Sequence, residues 1–299
     1  MKLINSSVEI LPQESGLIGA YKQIEIAGRT CYKSEDKITD TSYIPFVEML
    51  KKRGHTAPLE QGTVYLRFPC DAEHLDVLHK YDTNPYSVVH QDPKTYDWLV
   101  TTNFRVIFEN NWEDDLKYFC DPSQYHEHRT TVRFILSIGI ANEFVRHRVF
   151  SFCQESSRYC NYSTNKELMY IIPYWLENTV KSGTYHFDEE KLKYINVDTR
   201  DEIADIVAFN FLHSLESAEL IYNVLVDDYK CLPQEAREVL PKATKTELVM
   251  TGFNKDWKQF FKLRCAQAAH PDARKLACDL QKILMDDVWN NPKHINNLE

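Results

Sequence analysis

Between positions 146 and 159 the chain reads Arg146-His147-Arg148-Val149-Phe150-Ser151-Phe152-Cys153-Gln154-Glu155-Ser156-Ser157-Arg158-Tyr159. Three arginines, a histidine, three serines and three aromatics fall in one short stretch. Guanidinium forks bind phosphate or carboxylate oxygens bidentately. Serine hydroxyls add donors, and aromatic rings stack on planar groups. Together these groups suit a phosphorylated ligand with a flat ring. The competing reading is a solvated cationic helix end, favoured by the helix dipole. A second group is Trp257, Phe260, Phe261 and Arg264, spaced i, i+3, i+4 and i+7, so the arginine shares a helical face with the aromatics. A guanidinium on an apolar face needs an acceptor, because an unpaired buried charge is costly. That acceptor is either an internal Asp or Glu or a ligand. Arg237, just before Val239-Leu240-Pro241, invites the same two readings.

Other chemistry is weaker. His126 and His128, flanking Glu127, form an H-x-H pair that would serve a metal-dependent hydrolase, in a stretch that reads as an exposed insertion. Cys70 follows Pro69, with no basic group placed by sequence to lower its pKa, so it reads as a structural thiol. Ser151, Ser156 and Ser157 stand outside any G-x-S-x-G elbow.

The elements that must position these groups follow from periodicity. Residues 16–32 and 42–52 read as helices, the second closed by Gly54. Val64, Leu66 and Phe68 alternate with Tyr65 and Arg67, as in a half-buried strand. Val132, Phe134 and Leu136 alternate with Arg133 and Ile135, then run into a helical pattern at 140–147. Residues 70–129 between them read as an inserted subdomain of short elements, since so long a structureless loop is unusual. Thr199-Arg200-Asp201-Glu202 matches a capping box and predicts a long helix with Ile203, Val207, Phe211, Leu215, Ala218, Tyr222 and Leu225 along one face. Residues 234–239 read as a short helix stopped at Pro241, 246–251 as a strand, and 256–264 and 272–288 as helices. The pattern is mixed α/β, with few strands and more helix than sheet.

Composition narrows the classes. The 299 residues carry 43% hydrophobic and 26% charged residues, ordinary globular usage. Only 8 glycines are present, and neither G-x-G-x-x-G nor G-x-x-x-x-G-K-[ST] occurs, so Gly-rich phosphate loops lose weight. A net charge of -9 disfavours a general nucleic-acid surface but leaves room for a local basic pocket. No run approaches the ~20 apolar residues of a membrane helix. Residues 1–12 do not read as a signal peptide, so the expected location is cytoplasmic and the eight cysteines are expected as thiols.

With these residues in view, the sequence resembles the flavin-dependent thymidylate synthases. Arg146-His147-Arg148 followed after seven residues by Ser156-Ser157-Arg158-Tyr159 is similar to that family's signature. Gly54-His55, Pro58 and Glu60 lie upstream, and Ala236-Arg237, Leu240-Pro241, Thr251 and Phe260 to Arg264 downstream, in the family's order. The resemblance covers most of the chain except 70–129 and about 175–200. Pattern and resemblance together predict an α/β fold of the α+β type. It would be a small mixed or antiparallel sheet flanked by several helices, with a long C-terminal helical portion, in one domain over residues 1–299.

The resemblance implies synthesis of dTMP from dUMP, with methylenetetrahydrofolate as carbon donor, FAD as cofactor and NADPH as reductant. It implies a homotetramer whose sites are shared between subunits, with no covalent cysteine nucleophile, no metal, no nucleic acid and no membrane. Carried over by position, it places His55, Arg146, His147, Arg148, Gln154, Asn254 and Gln259 at the flavin. It places Glu143, Arg146, Gln154, Glu155, Ser156, Ser157, Arg158, Arg237 and Arg264 at dUMP, with Arg264 as the group that polarises the uracil. Departures are Cys153-Gln154 where the family commonly has Asn-Glu, Glu143 where a Gln is frequent, Ala57 where a hydroxyl residue is common, and Gln259 in place of Asn or His. From another class, the alternative is a non-catalytic nucleotide- or RNA-binding protein using the same arginines.

Overall fold

The computed structural model describes residues 1–163 and 167–290. Its strands are β1 (Lys2–Ile4), β2 (Ser7–Ile10), β3 (Thr63–Phe68), β4 (Val88–Gln91), β5 (Trp98–Asn103), β6 (Arg129–Ser137), β7 (Ser151–Gln154), β8 (Met169–Ile171), β9 (Gly183–Asp188), β10 (Lys193–Asn196), β11 (Glu202–Ile203) and β12 (Lys245–Phe253). Its α-helices are α1 (Gly16–Tyr32), α2 (Tyr43–Arg53), α3 (Leu75–Asp82), α4 (Phe104–Glu109), α5 (Ile138–Phe144), α6 (Ile206–Asn223), α7 (Pro233–Ala236), α8 (Asn254–Arg264) and α9 (Pro271–Asn290).

The strands form three sheets, each with its own apolar cover. The antiparallel sheet β2-β6-β12-β7 is central. Its spine is the nine-residue β6–β12 pairing, in which Phe134 faces Leu248 and Val132 faces Met250. The alternating apolar residues of both strands turn one face toward α5, α8 and α9, and there Phe134, Phe144, Trp257, Phe260 and Leu280 pack as one core. The sheet β3-β5-β4 packs with α1, α2 and α4 around Ile24, Phe46, Leu66 and Phe104. The sheet β11-β10-β9-β1-β8 packs on α6 around Leu3, Tyr170, Tyr194 and Leu212.

Helices α1 and α2 and the β6 and β12 patterns lie where the sequence places them. Several expectations are corrected. The mixed α/β class with flanking helices stands, but strands are more numerous than expected: among the described residues there are twelve, in three sheets. The five-stranded sheet went unread because its strands are two to six residues long and β1 pairs in parallel with β8, from Lys2–Met169 to Ile4–Ile171. The capping box at Thr199 does not start a helix. Thr199 Oγ1 donates instead to Asp201 Oδ2 at 2.8 Å, Arg200 is left-handed at φ 67°, and Glu202 enters β11. The helix begins at Ile206, capped by Asp205, whose carboxylate accepts from the Ala208 amide at 2.8 Å. Its buried face is Ala208, Leu212, Leu215 and Tyr222, while Val207 is exposed: α6 is apolar on more than one side, and periodicity alone could not select the side that packs. The strand at 63–68 is buried on both faces rather than half-buried, since Tyr65 is also covered. The segment 70–129 does hold short elements, yet it shares a sheet with β3 and a core with α1 and α2.

Candidate functional site

Helix α5 ends at Phe144, and a tight turn follows in which His147 N–H donates to Phe144 O at 3.0 Å and Phe150 N–H to His147 O at 3.1 Å. The turn sends Arg146 and Arg148 outward to solvent. It sends His147 inward, edge-on to the Phe260 ring with centroids 5.0 Å apart. At the C-terminal end of α8, Arg264 reaches across to this turn. Its Nε donates to His147 Nε2 at 2.9 Å, Nη1 to Glu143 Oε2 at 2.6 Å, and Nη2 to the Glu143 carbonyl at 2.7 Å. That carbonyl is one of the last in α5, with no intrahelical partner of its own, so the guanidinium also caps the helix. Because arginine is donor-only, His147 Nε2 must be the unprotonated ring nitrogen. Burial, and then the Arg264 charge, hold the His147 pKa below its usual value, which keeps that acceptor available at neutral pH. The acceptor that Arg264 required on its apolar face is thus an internal carboxylate in this chain, Glu143.

The second half of the signature forms a turn at the far end of β7. Gln154 pairs with Leu248 of β12 and its side chain donates to Thr246 Oγ1 at 3.3 Å. The Glu155 amide donates to Glu247 O at 2.8 Å, and the Ser156 amide to Cys31 O at 3.0 Å. Ser157 Oγ accepts from Arg237 Nη1 at 3.4 Å, so these two expected substrate residues meet. Arg158 is exposed and lies over the Tyr159 ring at 5.5 Å. Glu155 differs from its neighbours: its carboxylate turns into the protein, where Tyr162 Oη and Lys245 Nζ both donate to it at 2.9 Å.

A third set closes this end. Gly54, left-handed at φ 68°, terminates α2 and turns the chain so that the His55 amide bonds back to Leu50 O. The His55 ring then pairs through Nδ1 with Tyr32 Oη at 3.0 Å, and Tyr32 packs on Tyr159 at 5.4 Å. Two aromatic rings, a histidine and Arg158 thereby gather beside the Ser156–Arg158 turn. Asn254 and Gln259 lie elsewhere, on α8. Asn254 Oδ1 accepts from Thr130 Oγ1 at 2.8 Å, and Gln259 is exposed.

The expected residues therefore fall into two centres joined by β7, one around Glu143, His147 and Arg264, the other around Ser156, Ser157, Arg158 and Arg237. The four-residue strand β7 between them is itself about 10 Å long. The groups available to a flavin are suitable: Arg146 and Arg148 are exposed cations without an ion-pair partner among the described residues, as a diphosphate requires, and His55, Tyr32 and Tyr159 offer ring faces. Residues that sequence reasoning missed are Tyr32, Lys33, Tyr162, Lys245 and Glu247. Lys245 and Glu247, charged at i and i+2 in an otherwise uncharged strand, were the available signal.

The rival sites receive no support from geometry. His126 is buried, with Nδ1 accepting from the Ser123 amide at 3.0 Å and Nε2 at 3.3 Å from Leu66 O. Burial pushes its pKa down to about 4. Among the described residues no cluster of three or more His, Cys, Asp or Glu could hold a metal ion. Cys153 is buried, and its thiol is raised well above the usual value by hydrogen bonding to Cys31 and by burial. No helix among the described residues is long and apolar enough to cross a membrane.

Comparison with known proteins sets these centres in a family. The family model described as thymidylate synthase complementing protein matches residues 122–288, and the chain belongs to that family. A protein of Corynebacterium aurimucosum named flavin-dependent thymidylate synthase is 32% identical over 163 residues, covering 54% of this chain and 59% of that protein. One of the same name from Mycobacterium tuberculosis is 29% identical over 168 residues, covering 55% and 62%. The chain thus spans about three-fifths of the length of these curated relatives. A solved structure of the UMP/dUMP methylase PolB from Streptomyces cacaoi, bound with 5-Br dUMP, is similar at a TM-score of 0.43 and 16% identity, over 96% of this chain and 93% of that one.

Proposed function

We propose that this chain is a flavin-dependent thymidylate synthase, converting dUMP to dTMP with methylenetetrahydrofolate as carbon donor, FAD as cofactor and NADPH as reductant. The observation that carries the reading is the turn after α5, which holds Arg146 and Arg148 outward and His147 inward on Arg264, in a chain of this family. A bound flavin would supply the reducing equivalents that turn a transferred methylene into a methyl group. The chain's own residues bind, orient and polarise. Arg146 and Arg148 would hold a diphosphate. Ser156, Ser157, Arg158 and Arg237 supply hydroxyls and forks for a nucleotide phosphate. Arg264 is set over the Phe144 ring, where a partly desolvated cation stabilises charge developing on a uracil carbonyl far more strongly than in water. C5 of the uracil then becomes nucleophilic without a covalent enzyme group. A homotetramer with shared sites is part of the reading. Its support is the apolar residues that α6 leaves exposed, Ile206, Val207, Leu220 and Ile221.

The test is dTMP formation by the purified protein given dUMP, methylenetetrahydrofolate, FAD and NADPH, with tritium release from C5-labelled dUMP followed in parallel. A colourless protein that binds no flavin and releases no tritium would dismiss the proposal in favour of a non-catalytic nucleotide binder.

A further inference from the structure

The chain buries an ionic network directly behind the Ser156–Arg158 turn. Lys245 Nζ, on a side chain 6% exposed, donates to Glu155 Oε2 at 2.9 Å and to Glu247 Oε1 at 2.6 Å. Tyr162 Oη donates to the other Glu155 oxygen at 2.9 Å. Lys33, left-handed at φ 50° just past α1, closes the chain of charges by pairing with Glu247. Burial opposes the Lys33 charge, but the hydrogen bond and charge of Glu247, together with the charges of Glu155 and Glu35, outweigh it and raise the pKa. Burial likewise opposes the Glu247 charge, and Lys245 with Lys33 holds that carboxyl down. Lys33 and Glu247 are thus held in their charged forms, and Lys245 joins Glu247 to Glu155. Replacing such a network with apolar side chains is often neutral or even stabilising, so stability alone is a poor reason for its presence.

Its connections suggest another reason. Glu155 is the residue immediately before the turn, and its amide is bonded to the Glu247 carbonyl at 2.8 Å. The next amide, Ser156, is bonded to Cys31 O at 3.0 Å, two residues before Lys33. One network thus ties the α1 end, β12 and the turn at three points, while Ser156, Ser157 and Arg158 stay on the open side.

We propose that Glu155 and Lys245 are positioning residues. They fix the Ser156–Arg158 turn in the geometry that receives the nucleotide phosphate, and Glu155 does not touch the ligand. This rests on the proposed function for the identity of the ligand, and on the geometry alone for the ordering of the turn.

The test compares wild type with two variants. Glu155→Leu/Lys245→Met replaces the pair with apolar residues of similar size. Glu155→Gln keeps both hydrogen bonds, since Tyr162 Oη can switch from donor to acceptor. Three quantities are read: the melting temperature, amide hydrogen exchange over residues 156–160, and the dissociation constant for dUMP by calorimetry. The double variant is expected to melt within a few degrees of wild type, to exchange these amides faster, and to bind dUMP more weakly by on the order of tenfold to a hundredfold, the usual effect of a small misplacement. In turnover the loss should fall on KM for dUMP more than on kcat. Glu155→Gln should lie between wild type and the double variant, with amide exchange and dUMP affinity closer to wild type than those of the double variant, because Lys245 keeps Glu247 as its partner. A double variant with wild-type exchange and wild-type affinity overturns the proposal, as does Glu155→Gln failing as badly as the double variant. If the double variant does not fold, Tyr162→Phe, which removes one bond to Glu155, carries the same comparison. If wild type itself does not bind dUMP, the functional reading falls, and the exchange rates alone decide the positioning role.

Discussion

Arg264 engages all three edges of its guanidinium within the chain: Nε with His147, Nη1 with the Glu143 carboxylate and Nη2 with the Glu143 carbonyl. Polarising a uracil therefore requires sharing or releasing one of these bonds, and the Glu143 carboxylate is the one that can rotate away. Arg264→Ala should reduce tritium release from C5-labelled dUMP by on the order of 3–4 kcal/mol in the transition state, as for loss of one preorganised donor. Arg264→Lys should recover little, because an ammonium cannot cap α5 and meet His147 together. Wild-type tritium release by Arg264→Ala would make this residue an ordinary helix cap. His147 adds a pH dependence. Its folded pKa lies below the unfolded value, so its contribution to stability is present above about pH 6.5 and is lost as pH falls through the folded pKa. Below that window protonated Nε2 would face the Arg264 cation. His147→Gln keeps an acceptor but does not titrate, so its unfolding free energy should fall less than that of wild type between pH 7.5 and 5.5. Equal losses in chemical denaturation would refute the assignment.

At the scale of elements, the close approach of the signature turn to β12 depends on Gly252. A Cβ there would lie 2.3 Å from Phe150 Cδ1 and 2.4 Å from Cε1, and that ring is itself packed on Trp257 at 4.6 Å. Gly252→Ala should cost about 1–3 kcal/mol of stability, as overpacking does. It should also displace the segment carrying Arg146 to Arg148, so bound flavin should fall along with the melting temperature. An unchanged melting temperature would show that Phe150 has room to turn. The elements legible in the sequence were those whose pattern is long relative to its noise. The alternation at 132–136 in β6 and the aromatic–arginine face of α8 stood out. What stayed hidden was set by distant partners. The Glu155 carboxylate takes its meaning from Lys245, 90 positions away, and Arg264 from Glu143, 121 positions away. The Thr199 motif was read as a cap because Thr and Glu at that spacing serve equally in a turn that leads into a strand, and only the β10–β11 pairing decides between them.

At the scale of the molecule, one chain keeps its two cationic centres apart, with β7 between Arg264 at one end and Arg237 at the other. A nucleotide touching both would have to lie along that strand, or a second copy would have to bring its own centre to the first. The proposed oligomer follows the second course, and mixing experiments separate the two. Arg237→Ala and Arg264→Ala should each lose dTMP synthesis when assayed alone. If a site draws Arg237 from one subunit and Arg264 from another, co-refolding the two variants in equal amounts creates some sites with both arginines intact. The mixture should then recover a substantial fraction of wild-type turnover, in proportion to the mixed oligomers resolved by native mass spectrometry. If mixed oligomers form and no activity returns, both arginines serve one site within a single chain, and α6 makes its contacts for stability alone. Light scattering that finds a fully active monomer would remove the shared site altogether and leave Ile206, Val207, Leu220 and Ile221 as exposed apolar surface that needs another explanation.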